Sequence, residues 1–167
     1  MDGSAPFHGL NPRFFDEVLE IPVYHMRGGT STGILLYEPH LPSDFALREE
    51  LIRHIMGVPL IGEVNRNAQI TGLGRGIPQS CKVFIVDNST RGDADIQSTL
   101  AQLAPTKAAI DWSVNCGNMS AALPVFAAQV GLVSLAPGTN RVRIFNTNTG
   151  VVTHALLDMS EPDLPVA

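Results

Sequence analysis

The run Trp112-Ser113-Val114-Asn115-Cys116-Gly117-Asn118 sets a thiol, two amides and a glycine directly ahead of the apolar stretch Met119 to Val133. A small polar turn leading into residues rich in Ala, Val, Leu and Phe has the order of a buried helix with a working N-terminus. The first backbone N–H groups of a helix lack internal partners, and the helix dipole adds partial positive charge there. A substrate carboxylate can bind at that end. Asn115 or Asn118 can cap the helix, and Gly117 lets a ligand come close to the backbone. Cys116 brings its thiol to the same point. The same residues also fit an ordinary capped core helix with a buried cysteine.

Other residues offer complementary chemistry. Arg27-Gly28-Gly29-Thr30-Ser31-Thr32-Gly33 supplies backbone N–H groups, hydroxyls and an adjacent guanidinium, which suit an anion as well as a plain flexible turn. Lys82 begins the apolar run Val83 to Val86, either at a sheet edge or facing a cleft. Side chains alternate along a strand, so a Lys82 directed into a cleft sends Cys81 away from it. Arg75, within Gly72-x-Gly74-x-Gly76, is a candidate substrate contact or a solvated arginine. That glycine spacing is not a dinucleotide fingerprint, because a strand pattern follows it rather than a helix. Asn146 and Asn148 flank a turn as further polar candidates, while His54 and His154 read as solvated or hydrogen-bonded.

Positioning these groups requires a scaffold of strands and short helices. Ile21 to Met26 and Ile34 to Tyr37 read as an antiparallel pair across the glycine-rich turn. Asp44 precedes a helix over Phe45 to Met56, closed by Gly57, with Phe45, Leu51, Ile52, Ile55 and Met56 inward and Arg48, Glu49, Glu50 and Arg53 toward water. Residues 62–79 read as a mobile loop bordering a cleft, and Lys82 to Asp87 as a strand. Asp93 is expected to cap a helix over Ala94 to Ala104, and Ala108 to Asp111 to form a short strand feeding the central turn. Pro124 cannot donate an N–H, so the helix after Asn118 is expected to restart there and to close at Gly131. Arg141 to Asn146 and Val151 to Leu157 form a hairpin around Thr147-Asn148-Thr149-Gly150. Residues 1–19 read as an N-terminal arm, 20–158 as one domain, and 159–167 as a tail or the start of a linker.

Composition narrows the function classes. With 44% hydrophobic and 16% charged residues the chain is expected to be globular and soluble. A net charge of −5 disfavours nucleic acid as the main partner, since phosphate binding needs a basic surface. No stretch of about 18 apolar residues predicts a membrane span, and the N-terminus lacks a secretory pattern. The two cysteines, Cys81 and Cys116, make no disulfide framework and read as reduced thiols of a cytoplasmic protein. No His/Cys/Asp/Glu spacing suggests a metal site.

Five segments in order, Met26 to Ser31, Gln69 to Gly74, Ser80 to Val83, Asp111 to Asn118 and Asn146 to Gly150, resemble the PrpF-type isomerases of the diaminopimelate epimerase-like group. The resemblance implies an α+β fold, a curved and mainly antiparallel sheet wrapped around a central helix. It also implies an isomerase that shifts a double bond by proton transfer in a small, aconitate-like di- or tricarboxylate, with no metal or organic cofactor. Under it, Lys82 and Cys116 correspond to the family's catalytic lysine and cysteine, Cys116 as a second acid/base or as pocket wall. Arg27, Gly29, Thr30, Ser31, Asn115, Gly117 and Asn118 correspond to carboxylate contacts. Thr32 stands where the family usually has a second lysine, Thr71 where it has an aspartate, and Arg75 where it has a glycine.

The chain has about half the family's usual length, so a homodimer or a second domain is expected to close the cleft. Two alternatives remain at this level. One is a non-catalytic binding or scaffold half-domain. The other is a pocket repurposed for a less charged substrate of specialised metabolism.

Overall fold

In a computed structural model, residues 9–159 are described. Two short strands come first, β1 (Arg13–Phe15) and β2 (Val18–Glu20), paired across Asp16 and Glu17, which both take positive φ. Part of the expected N-terminal arm is therefore a hairpin. Its strands carry no hydrophobic alternation because both are exposed throughout. Residues 1–8 of the expected arm and 160–167 of the expected tail lie outside the described residues.

The main sheet has seven strands: β3 (Tyr24–Gly28), β4 (Ser31–Tyr37), β5 (Lys82–Asn88), β6 (Ile96–Leu103), β7 (Ile110–Asp111), β8 (Gly138–Asn146) and β9 (Val151–Met159). Their order is β3-β4-β5-β6-β8-β9, with β7 beside β6. The β4/β5 and β6/β8 pairs are parallel and the others antiparallel, so the fold is α+β with a mixed but mainly antiparallel sheet. Parallel neighbours need a crossover, and both crossovers carry the helices. Helix α1 (Phe45–Met56) joins β4 to β5. Helices α2 (Gly117–Ser120) and α3 (Leu123–Gln129) lie between β7 and β8.

The helices cover opposite faces. Ile34, Leu36, Val83 and Ile85 pack with Ile52 and Met56 of α1. Leu35, Phe84, Val86 and Leu100 pack with Met119, Leu123 and Phe126 of α2 and α3. Burial on both faces explains why β4 and β5 read as continuous apolar runs rather than alternating ones. Truncating Phe84 or Phe126 to alanine would remove roughly 3–5 kcal/mol, since both are fully buried.

Helix α1 has the expected span. The Asp44 carboxylate accepts from Leu47 N at 2.9 Å, and Gly57 closes the helix at φ +67°. Four of its residues behave differently from expectation, among them Arg48 and Glu49, which are partly buried and pair with Glu38 and Arg53. Phe45 is exposed and leans on Trp112, with ring centroids 5.5 Å apart. Arg53 folds back from solvent, donating to Ala108 O at 2.7 Å and pairing with Glu49 at 2.6 Å.

The expected helix over Ala94 to Ala104 is instead strand β6. Ile96, Ser98 and Leu100 are buried while Gln97 and Thr99 are less so, a period of two that the nearby Ala residues obscured. Asp93 does not cap a helix and pairs with Arg91. Asp95 ties β6 to β8: Arg143 donates to it from the backbone at 2.7 Å and from Nη2 at 2.6 Å. That guanidinium holds the Asp95 carboxyl below the usual carboxylate range.

Residues 67–76, expected to be mobile, are bound down. Asn67 Nδ2 donates to Gly57 O and Pro105 O, each at 2.8 Å. Leu73 N and Gly74 N donate to Ile55 O and Met56 O at the end of α1. The glycine spacing has a separate steric cause at two of its positions. A Cβ on Gly72 would lie 2.1 Å from Gly57 N, and one on Gly74 would lie 1.9 Å from Gln69 Nε2.

This packing predicts that Gly72→Ala lowers stability by about 2 kcal/mol through overpacking, read as a lower urea midpoint. Gly92→Ala, with nothing within 4 Å of the new methyl, is expected to stay within about 0.5 kcal/mol of the parent. Matching midpoints for the two variants would mean that the loop is not seated on α1.

Candidate active site

Two turns meet at the entrance to α2. The first is the tight connection between β3 and β4, where Gly29 takes φ +51° and Gly28 pairs with Ser31. The second is Asn115 to Asn118. They approach so closely that a Cβ on Gly28 would lie 2.1 Å from Asn118 O, and one on Gly29 2.9 Å from Asn118 Oδ1. Asn118 Nδ2 donates to Thr30 Oγ1 at 3.0 Å, and Ser31 Oγ lies 3.6 Å from Cys116 Sγ as its hydrogen-bond partner. Arg27 Nε donates to Gly29 O at 2.8 Å and so braces the turn from its flank.

Neither asparagine caps α2. Cys116 occupies the cap position in an extended conformation, with no side-chain hydrogen bond to the helix. The Asn115 amide oxygen accepts from Cys116 N at 2.8 Å and from Ser120 Oγ at 3.3 Å, so it stabilises its own turn. The helix is also broken: α2 has four residues, and α3 restarts with Pro124 in its first turn, as the proline requires. A dipole summed over four residues is small, which shifts the electrostatic role from the helix as a whole to individual N–H groups and side chains. The space in front of Gly117 is open, with no atom within 4 Å of a Cβ built there.

Lys82 is 7% exposed at the head of β5. A Cβ on Gly33 of β4 would lie 3.1 Å from the Lys82 Cβ, so the lysine neighbours the same strand that carries Ser31. It shares the α2–α3 face with Phe84, and Cys116 packs against that same cluster. Lys82 Nζ donates to Pro78 O at 3.0 Å rather than reaching Cys116. Cys81 points to the other face, fully buried among residues that pack on α1. Burial pushes its thiol up, against smaller opposing effects from the Gln69 side chain, the Arg75 backbone and the Lys82 charge.

Arg27, Thr30 and Arg75 line a hollow of about 330 Å³ together with Thr32, Ile77, Gln79 and Ser80. Of the expected site residues, Ser31 and Lys82 are buried and Cys116 is partly so; Arg27, Gly29, Thr30, Arg75, Asn115, Gly117 and Asn118 are exposed. The arrangement is a pair of joined turns, open to solvent, with a partly buried thiol in the second turn and a buried lysine on the same sheet face. No cluster of three or more His, Cys, Asp or Glu residues suited to a metal ion occurs among the described residues. No helix among them is long and apolar enough to cross a membrane.

Two further residues position the site: Gln69, to which the sequence assigns no role of its own, and Asn148, which reads in the sequence only as a polar candidate beside a turn. Gln69 is 2% exposed at φ +54°, donates to Met56 O at 2.8 Å, and accepts from Gly76 N at 2.6 Å and Cys81 Sγ at 3.1 Å. One amide thereby fixes the backbone beside Arg75 to the residue before Lys82. Asn148 donates to Trp112 O at 2.6 Å and exchanges hydrogen bonds with both backbone groups of Leu100. It anchors the approach to the Asn115–Asn118 turn instead of lining the hollow.

Residues 18–163 match the family model described as PrpF protein. The chain is 38% identical over 143 residues to a 3-methylitaconate isomerase of Eubacterium barkeri, covering 86% of this chain and 36% of that protein. It is 35% identical over 147 residues to a 4-oxalomesaconate tautomerase of Pseudomonas putida, covering 88% and 39%. The crystal structure of a methylitaconate-delta-isomerase superposes with a TM-score of 0.76 at 38% identity, over 84% of this chain and 35% of the other. The chain thus spans little more than a third of the length of these relatives, less than the half expected from the sequence.

The contrast between the two thiols is directly measurable. Brief iodoacetamide treatment of the native protein is expected to label Cys116, which is partly exposed, and to spare Cys81. Mass spectrometry should then find both labelled after denaturation. Native labelling of Cys81 at a comparable rate would contradict its placement beneath α1.

Proposed function

The chain belongs to the PrpF protein family, and on that premise we propose that it supplies one wall of an active site that shifts a carbon–carbon double bond in a small unsaturated di- or tricarboxylate. The observation that carries this reading is the seating of the Gly28–Ser31 turn on the Asn115–Asn118 turn, with Cys116 between them and Lys82 on the same face.

The reaction moves two protons and no other atoms. Lys82, as the base, takes the proton from the carbon beside the double bond. The C–H electron pair spreads through the conjugated system onto the carboxylate. The double bond re-forms one position along as the Cys116 thiol delivers a proton to the far carbon. Proton return from the lysine to the sulfur through solvent resets the pair. The charge that builds on the carboxylate is met by the N–H groups at Gly117 and Asn118 and by Arg27, and one aimed donor of this kind is typically worth about 3 kcal/mol. Ser31, hydrogen-bonded to Cys116 Sγ, orients the thiol. Thr30, held by Asn118, and Gly29 shape the carboxylate seat. The reading needs neither metal nor organic cofactor.

Electrostatic stabilisation of this kind depends on excluding water. Since most of the contact residues are exposed, the proposal includes a second wall, supplied by a second copy of this chain or by a further domain. The same exposure favours a second reading, in which the chain binds a carboxylate without turnover.

Proton exchange between cis-aconitate and deuterated water, followed by NMR, separates these readings. The parent protein is expected to wash deuterium into the allylic position, with Lys82→Ala slowing exchange by about 10³-fold. A Lys82→Ala variant exchanging at the parental rate would remove the base assignment. Binding without exchange by the parent would leave the non-catalytic reading.

A further inference from the structure

Among the described residues, ion pairs engage Arg13, Arg48, Arg53, Arg91, Lys107 and Arg143. The other five lysines and arginines pair with no described carboxylate: Arg27, Arg66, Arg75, Lys82 and Arg141. In a chain of net charge −5 with 16 acidic residues, unpaired cations should be few and scattered. Four of these five nevertheless gather in one region. Arg27 and Arg75 line the hollow already described. Arg75 also lines a second hollow of about 550 Å³, with Asn65, Arg66, Pro78, Pro105 and Thr106. Lys82 lies just behind it, donating to the carbonyl of Pro78. No carboxylate lines either hollow.

Arg75 therefore stands on the divide between two adjoining hollows, with one further arginine on each side. The backbone beneath it is fixed. Gly76 N is bound by Gln69, and Asn67 is tied to Gly57 and Pro105. Arg66 makes no hydrogen bond or ion pair among the described residues, so it can be removed without disturbing that clamp. We propose that the Asn65–Arg66 hollow is a second anion subsite, which receives a carboxylate remote from the reacting carbon and makes Arg66 a specificity-determining residue for tricarboxylates over dicarboxylates. This rests on the proposed function, whose carboxylate contacts Arg27 and Thr30 line the first hollow. It extends the site away from Lys82 and Cys116, to a position that needs only charge and reach. Guanidinium pairing with a carboxylate gives directional, charge-assisted hydrogen bonds. Both arginines are exposed, so the discrimination is that of a solvated pair.

The test is an NMR titration of the full chain, following arginine Nε–Hε resonances, with propane-1,2,3-tricarboxylate and with pentanedioate, which has the same carbon chain without the central carboxyl. The parent is expected to bind the tricarboxylate about fivefold more tightly, with the Arg27, Arg66 and Arg75 signals all moving. Pentanedioate should move those of Arg27 and Arg75. Arg66→Ala should abolish the tricarboxylate advantage and leave pentanedioate binding unchanged. An advantage that survives Arg66→Ala, or an equal loss for both acids, overturns the second subsite. In either case, weakening of both acids by Arg75→Ala keeps the first hollow as a carboxylate site. If neither acid moves any of these resonances in the parent, the first-hollow reading fails together with the second.

Discussion

The architecture of this site depends on a backbone-to-backbone contact. Gly28 and Gly29 let the β3–β4 turn lie directly on Asn118, at a separation where any side chain on Gly28 would overlap the Asn118 carbonyl. Two segments 90 residues apart in sequence are thereby held as one unit. The Thr30–Asn118 and Ser31–Cys116 contacts then follow from register, because Ser31 opens the strand that leaves the turn. A site assembled from backbone contacts is stiffer than one assembled from long side chains, since it has no rotamers to lose. The proposed proton shift would draw on this stiffness, since a proton would have to leave one carbon and another arrive at a second carbon with the substrate held in one orientation.

A second constraint fixes Lys82. Its strand starts immediately after Cys81, whose sulfur is held by Gln69, and its own amine is held by Pro78. Gln69 adopts a left-handed backbone conformation that a non-glycine residue adopts at a cost of roughly 1 kcal/mol or more, and its buried amide makes three hydrogen bonds in return. Those bonds join the end of α1, the Arg75 loop and the start of β5. The loop that looks irregular in sequence is thus the part that sets the distance between the arginines and the lysine.

What could be read from the sequence was whatever depends on local periodicity and punctuation. Helix α1, with Asp44 before it and Gly57 after it, has the span its pattern implies, and the restart at Pro124 follows from the missing N–H. The opposite orientations of Cys81 and Lys82 follow from strand alternation alone. The failures have an equally physical origin. The sequence of strand β6 fits a helix as well, because Ala94, Ala101 and Ala104 suit either period, and only the burial of Ser98 and Leu100 between neighbouring strands decides it. The capping roles given to Asn115 and Asn118 fail because a nonlocal partner, Thr30, takes one of them. The clamp at Gln69 is invisible to any window, since its partners are 13, 7 and 12 residues away.

The distribution of charge links these constraints to the exposure of the site. An acidic surface surrounding unpaired arginines lowers the local concentration of free anions, so a carboxylate is drawn in only where the cations stand close together. Water weakens that attraction at an open surface through its high dielectric constant, and physiological salt largely screens whatever acts beyond about 8 Å. A partner surface placed over Arg27, Arg75 and Gly117 would strengthen every contact at once by displacing the solvent, without adding a bond of its own. The exposed polar residues of the two turns and the buried lysine and serine behind them fit that proposed division of labour, in which the chain would hold the geometry and a covering surface would set the strength of its field.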